Sequence, residues 1–303
     1  MSTVAVVGVG AIGSAVAAAV ADAGVHELRC CVRRPIDAVT VHRAKGPDGV
    51  ADIATITDGI VTDPSQLGDA EVDWVLLATK TYQTTGAAAW LERLAGPGTR
   101  VAVLQNGVTH RERVAPLVPP GATVVPVVVY LPGERDDDGV VHQSSPGRLL
   151  VADDADGVEL AGLFASSATK VRPVDDLLTA AWTKLVINSS SGPVALLRQP
   201  ARVGSAPGLA DLLRSMITET VAVARAEGAA MADDAVERFV DGLGFAGDHL
   251  SSIAADVIAG RPLEWEERNA VVGRLGRRHG IPTPTNDVIT AMLRTASELV
   301  EDR

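Results

Sequence analysis

Thr3-Val4-Ala5-Val6-Val7-Gly8-Val9-Gly10-Ala11-Ile12-Gly13 is the stretch on which the reading of this chain turns. Residues 3–7 form a continuous apolar run rich in β-branched side chains, the pattern of a strand buried on both faces. An alanine-rich segment over 14–23 has high helix propensity, and Gly24 stands where that helix should stop. The order is therefore strand, glycine turn, helix, the context in which G-x-G-x-x-G becomes a dinucleotide site. Gly8 permits the turn, Gly10 lets the backbone approach a pyrophosphate, and Gly13 lets the helix lie close to the strand. The helix start offers free N–H groups to the anion. Gly8, Val9, Gly10, Ala11, Ile12 and Gly13 are thus the candidate cofactor loop.

The 303 residues suffice for two domains. Hydrophobic content of 47% and charged content of 21% describe a globular chain rather than a disordered one. A net charge of −11 argues against a nucleic-acid or anionic-membrane surface as partner. No apolar run reaches spanning length and no basic n-region opens the sequence, so a cytoplasmic location is expected. Cys30 and Cys31 are adjacent, poorly placed to bridge and without a histidine cluster; they read as small buried hydrophobes. No metal is expected, and Asp136-Asp137-Asp138 reads as a solvated loop.

Strand two is predicted over 27–32. An NAD site usually has an acid at the end of this strand, but here Arg33-Arg34 follow with no carboxylate beside them. A guanidinium suits a 2′-phosphate, which points to NADP (NADPH) through Arg33; a solvated surface pair is the plainer alternative. Short strands are expected at 52–57 and 60–62, longer ones at 72–78 and 100–104, with a helix over 82–95 between them. This alternation predicts a parallel sheet covered on both faces, with ligands beyond the carboxyl ends of its strands. The glycine loop, Arg33, Lys80 and Asn106 all fall at such ends. One strand over 123–130 should follow, then a polar turn at 133–138, strands at 139–142 and 148–152, a helix over 158–167 and a last strand at 170–174.

Beyond that point strand patterns almost vanish. The fold class is accordingly α/β: a Rossmann-type doubly wound domain over 1–174 and an all-helical substrate domain over 175–303. Within the helical part, Lys184 and Asn188 are one turn apart on one face, and Gly192 extends the line. Pro193 lacks an N–H and should kink this helix near Ser189. Taken alone, Lys184 would more often be a surface lysine lying along an amphipathic helix. Pro262 suits the first position of a further helix, which would leave Glu264 in its first turn. There Glu264, Glu266 and Glu267 could be simple capping charges. Thr283-Pro284 reads as the cap and first position of the terminal helix.

Together these pieces resemble the ketopantoate reductase (2-dehydropantoate 2-reductase) family, which reduces 2-dehydropantoate to pantoate with NADPH on the way to pantothenate. The resemblance runs from residue 3 to about 284 through the Gly8–Gly13 loop, Arg33, Lys80, Gln105-Asn106-Gly107 and Trp182–Asn188. It continues through Ser251-Ser252, Asp256, Gly260-Arg261-Pro262-Leu263-Glu264 and Gly280–Pro284. It implies an active site in the cleft between the two domains, with Lys184 as general acid. Asn106 and Glu264 would lie near the nicotinamide, Glu264 sharing in catalysis, while Asn188 and Ser252 contact the substrate beside Asn106 and Lys184. The partner implied is a small-molecule keto acid, with a homodimer left open. Two departures stand out: Gly192 occupies the place of a second substrate asparagine, and Leu263 that of a common threonine. One alternative is therefore a reductase of another, bulkier 2-keto acid, with Gly192 making room. The other is a nucleotide-binding regulator without turnover, against which Lys184 and Glu264 both argue.

Overall fold

The structure is a computed structural model describing residues 1–44, 52–68, 71–243 and 247–301. Two compact units divide it: one holds 1–105 and 109–177, the other 106–108 and 178–303.

In the first unit the chain runs β1 (Thr3–Val7), α1 (Ala11–Ala21), β2 (Glu27–Cys31), β3 (Val39–Arg43), β4 (Asp52–Ile56) and β5 (Ile60–Val61). It continues through β6 (Trp74–Leu77), α2 (Ala88–Leu94), β7 (Arg100–Val103), α3 (His110–Val114) and β8 (Thr123–Pro126). A six-stranded sheet in the order β5-β2-β1-β6-β7-β8 is parallel at every pairing. Side chains alternate across it: Val4 and Val6 enter one apolar core, Ala5 and Val7 the other. This is why β1 reads as an unbroken hydrophobic run. The same alternation sends Cys30 and Cys31 to opposite faces as free, buried thiols. Burial raises each thiol to about 12, so neither is a nucleophile.

The remaining strands are β9 (Val128–Tyr130), β10 (Gly133–Arg135), β11 (Val141–Gln143), β12 (Arg148–Ala152) and β13 (Lys170–Val174), with α4 (Ala155–Leu163) before the last. They build two smaller sheets, β10-β11-β3-β4 and β13-β12-β9. Three expectations need correction here. The single strand expected over 123–130 is two: the chain makes its last bond to the large sheet through the Val127 N–H, which donates to the Val103 carbonyl at 3.3 Å, and then joins another sheet. The polar turn at 133–138 gives up its first three residues to β10, and β3 was not foreseen. The helix expected over 82–95 is two 3₁₀ turns and then the short α2. The Thr84 hydroxyl donates to the Thr81 carbonyl at 2.7 Å and so competes with regular helix, and Gly86 lowers the local propensity further.

The second unit is helical: α5 (Leu177–Leu196), α6 (Pro207–Ala226), α7 (Ala235–Leu243), α8 (Ser252–Ile258), α9 (Val271–Arg278) and α10 (Pro284–Glu301). Its cores gather Trp182, Leu185 and Leu275 in one cluster and Leu213, Met216 and Leu293 in another. The α10 start falls at Pro284 as expected, but Glu219 of α6 receives the N–H groups of Thr285 and Asn286, both at 2.9 Å. The helix expected from Pro262 instead begins at Trp265. Residues 261–264 stay non-helical because Leu263 is buried in the core and its N–H donates to the Ser297 hydroxyl at 3.0 Å. No helix among the described residues is long and apolar enough to cross a membrane.

Candidate active site

The glycine loop joins β1 to α1. Gly8 has φ +93°, and a Cβ there would lie 2.7 Å from the backbone nitrogen of Thr79. At Gly13 a Cβ would stand 2.0 Å from the Gly8 carbonyl oxygen, so strand and helix touch as only glycine allows. Gly10 differs. It has negative φ and a Cβ there would meet nothing within 4 Å, so the fold places no demand for glycine at this position. A ligand drawn close to the backbone would make that demand, and the first-turn N–H groups of α1 have no acceptor inside the helix. The loop therefore fits a dinucleotide pyrophosphate.

Val9 is buried, and Ala11 and Ile12 are half-buried in the first turn. Arg33 is exposed just beyond β2, and half-buried Lys80 lies just beyond β6, the strands on either side of β1. Behind the β6 and β7 ends, Gln105 donates to the Thr79 carbonyl at 3.1 Å, while its own carbonyl meets His110 Nε2 at 2.9 Å. This buried network fixes the two loops that carry Lys80 and open toward Asn106.

The second unit assembles the other candidates. Asn188 Nδ2 donates to Asn106 Oδ1 at 3.3 Å, and Asn106 Nδ2 donates to Glu264 Oε2 at 3.2 Å. A carboxylate oxygen only accepts, so this chain has one direction, toward Glu264. Glu264 is 6% exposed, immediately ahead of its helix rather than in the first turn. Lys184 is half-buried, and its ammonium is lowered to about 7 by burial first and the Arg268 guanidinium second; Glu264 draws it upward.

Ser252 opens α8 and is exposed, and its hydroxyl accepts from Arg268 Nη1 at 3.0 Å. Arg268 is the residue sequence reasoning missed. It lies on a π-helical turn, Glu266–Ala270, a geometry frequent at functional sites. From sequence, Glu264 and Arg268 four residues apart look like an ordinary surface ion pair. The guanidinium instead donates to three neutral oxygens: Ser252 Oγ at 3.0 Å, Ser191 Oγ at 2.8 Å and the Asn188 carbonyl at 3.3 Å.

The same turn settles the problem posed by Pro193. Helix α5 runs through it to Leu196, and the Ser189 carbonyl that lacks an N–H partner accepts from Asn269 Nδ2 at 2.9 Å. Gly192 does not make room for a bulkier substrate. A Cβ there would lie 3.0 Å from Leu293 and 3.2 Å from Ile289, so the position faces the core and an asparagine there would have to push these side chains aside. Leu263 is likewise a core residue. No group of His, Cys, Asp or Glu suited to a metal occurs among the described residues, and Asp136 pairs with His142 at 2.7 Å.

The model of ketopantoate reductase PanE/ApbA matches residues 4–155, and that of its C-terminal domain matches 176–297. The chain belongs to the ketopantoate reductase family. A 2-dehydropantoate 2-reductase of Caulobacter vibrioides is 39% identical over 300 residues, covering 98% of this chain and all of that one. One from Mycobacterium tuberculosis is 37% identical over 296 residues, covering 97% and 98%. A PanE/ApbA family ketopantoate reductase from Ralstonia eutropha superposes with a TM-score of 0.86 at 28% identity, over 99% of both chains. D-mandelate dehydrogenase with NADH shares the fold at 19% identity and a TM-score of 0.84, over 99% of both chains. This family consists of NAD(P)-dependent oxidoreductases built on a Rossmann-type domain, and the chain has that domain.

Proposed function

We propose that the chain reduces a 2-keto acid to the 2-hydroxy acid with NADPH, and that the substrate is 2-dehydropantoate, as named for its Caulobacter and mycobacterial relatives. The observation that carries this reading is the Lys184 cluster: a half-buried lysine influenced by one carboxylate, Glu264, and one buried guanidinium, Arg268.

Bound NADPH supplies the hydride for the ketone carbon. As that bond forms, charge gathers on the carbonyl oxygen, and the Lys184 ammonium stabilises it and then protonates it. An ammonium lowered to about 7 gives up its proton far more readily at neutral pH than an ordinary lysine. Glu264 opposes further loss of the charge and, through Asn106, orients the Asn188 amide for the substrate. The glycine loop and Arg33 hold the cofactor's phosphates, with Lys80 beside them. The chain is also proposed to act in the cytoplasm. A homodimer is the assembly to test by light scattering, since a Staphylococcus aureus enzyme of the same fold is described as dimeric.

The test is a screen of NADPH and NADH oxidation against 2-dehydropantoate and other 2-keto acids. The account expects NADPH with 2-dehydropantoate to give the highest kcat/KM. Arg33→Ala should raise KM for NADPH roughly ten- to hundredfold, as loss of a charged phosphate contact predicts, and leave NADH little changed. Equal use of both cofactors by the unaltered chain would overturn the NADPH assignment.

A further inference from the structure

Arg268 is 2% exposed, and among the described residues its hydrogen bonds go to neutral oxygens. Its Nε is buried without a partner, and no ion pair to it occurs among the described residues. The two carboxylates whose charge reaches it have other contacts: Asp256 pairs with Arg261 at 2.8 Å, and Glu264 accepts from Asn106. A buried cation with no carboxylate in direct contact is costly, and perturbed charges of this kind cluster at functional sites. With protonated Lys184, two cations stand near the carboxylate of Glu264, while Asp256, the other carboxylate whose charge reaches Arg268, is paired with Arg261.

The route by which this charge reaches a ligand can be read from its three acceptors. Ser191 is already committed, because its hydroxyl donates to the Asn188 carbonyl at 2.7 Å. The Asn188 carbonyl is backbone. Ser252 alone is exposed, and since its oxygen accepts from Arg268, its O–H is left to donate outward. A hydroxyl polarised by a guanidinium is a stronger donor, above all to an anionic oxygen.

We propose that Arg268 is the positioning residue that makes this site select an anionic substrate, holding Ser252 as a donor to the substrate's carboxylate. This rests on the keto-acid reading above, in which Ser252 touches the substrate; Arg268 acts through it. The charge also explains how the site manages without an asparagine at position 192: discrimination comes from a cation under the floor rather than from another amide.

The experiment compares 2-dehydropantoate with its methyl ester, which keeps the ketone and removes the charge. Wild type should prefer the acid. Arg268→Met should raise KM for the acid roughly ten- to hundredfold while kcat/KM for the ester changes less than about threefold. Arg268→Lys, which keeps a cation, should retain most of the preference. Ser252→Ala should lose the preference too, with the double variant no worse than the poorer single one. If Arg268→Met fails to fold, Arg268→Lys and Ser252→Ala still decide. Equal losses for acid and ester in these variants would mean a merely structural role and overturn the proposal, as would an unchanged preference. Should wild type turn over no keto acid, the function proposed above fails. Calorimetric binding of pantoate and of its methyl ester to wild type and Ser252→Ala would then decide the inference separately: it stands only if the pantoate preference is lost.

Discussion

In the proposed function the loop after β1 and the cluster around Lys184 would meet their ligands by opposite means. In the loop, the backbone would be the binding surface, and the defining residues are the ones that lack side chains. Around Lys184, side chains from four separate stretches converge on one another: Asn106, Lys184–Ser191, Ser252 and Glu264–Asn269. A backbone site is written locally and can be read in a dozen residues. A site of converging side chains depends on packing, and a residue such as Arg268 gains its meaning only from what surrounds it.

The largest expected effect tests whether chemistry resides in the cluster alone. Lys184→Met should cut kcat by roughly a hundredfold or more, while NADPH affinity, held by the loop and Arg33, stays nearly unchanged. The same variant should melt at a higher temperature. The native lysine titrates near 7 when folded against about 10.5 ordinarily, so its destabilising charge is fully present below pH 7. The variant's advantage should therefore be greatest there and fade between about pH 7 and 10.5. A fall in kcat and NADPH affinity together would break the comparison.

Within the loop, two glycines should separate binding from folding. Gly13→Ala forces a Cβ to 2.0 Å from a carbonyl oxygen and should cost about 3 kcal/mol of stability or more, read from denaturant melts. Gly10→Ala has open space and negative φ, so its melt should match wild type within about 0.5 kcal/mol. Its NADPH affinity should nevertheless fall about tenfold, the size of one lost contact with a phosphate. A Gly10→Ala protein with unaltered affinity would mean that no ligand approaches the backbone there. The smallest effect concerns Gly192. Gly192→Asn should lower stability by about 1–3 kcal/mol through overpacking against Leu293 and Ile289, without improving KM for the keto acid.

Much of the fold was legible because β1 is buried on both faces and Gly8–Gly13 can do little else in that setting. The polar residues at strand ends were readable for a similar reason: a parallel sheet gathers them on one edge. Other features depend on distant contacts. The strand over 123–130 divides because two sheets compete for it, and the helix after Pro262 starts late because Ser297 holds Leu263. Gly192 looked like space from its place in the line Lys184, Asn188, Gly192, and only the packing of α10 against it shows otherwise. Arg268 imitates half of an i,i+4 surface pair, and burial is what removes that reading.

The central claim is that the reducing proton comes from Lys184, independently of how the cofactor is held. Its most direct test is the pH dependence of kcat/KM for 2-dehydropantoate at saturating NADPH, measured beside the dissociation constant for NADPH over pH 6–10. A general acid must be protonated to act, and Lys184 without substrate is lowered to about 7. The expected result is that kcat/KM falls tenfold per pH unit above an inflection near that value, while NADPH binding shows no matching step. A kcat/KM that stays level or rises through this range, or an inflection shared with NADPH binding, would contradict it.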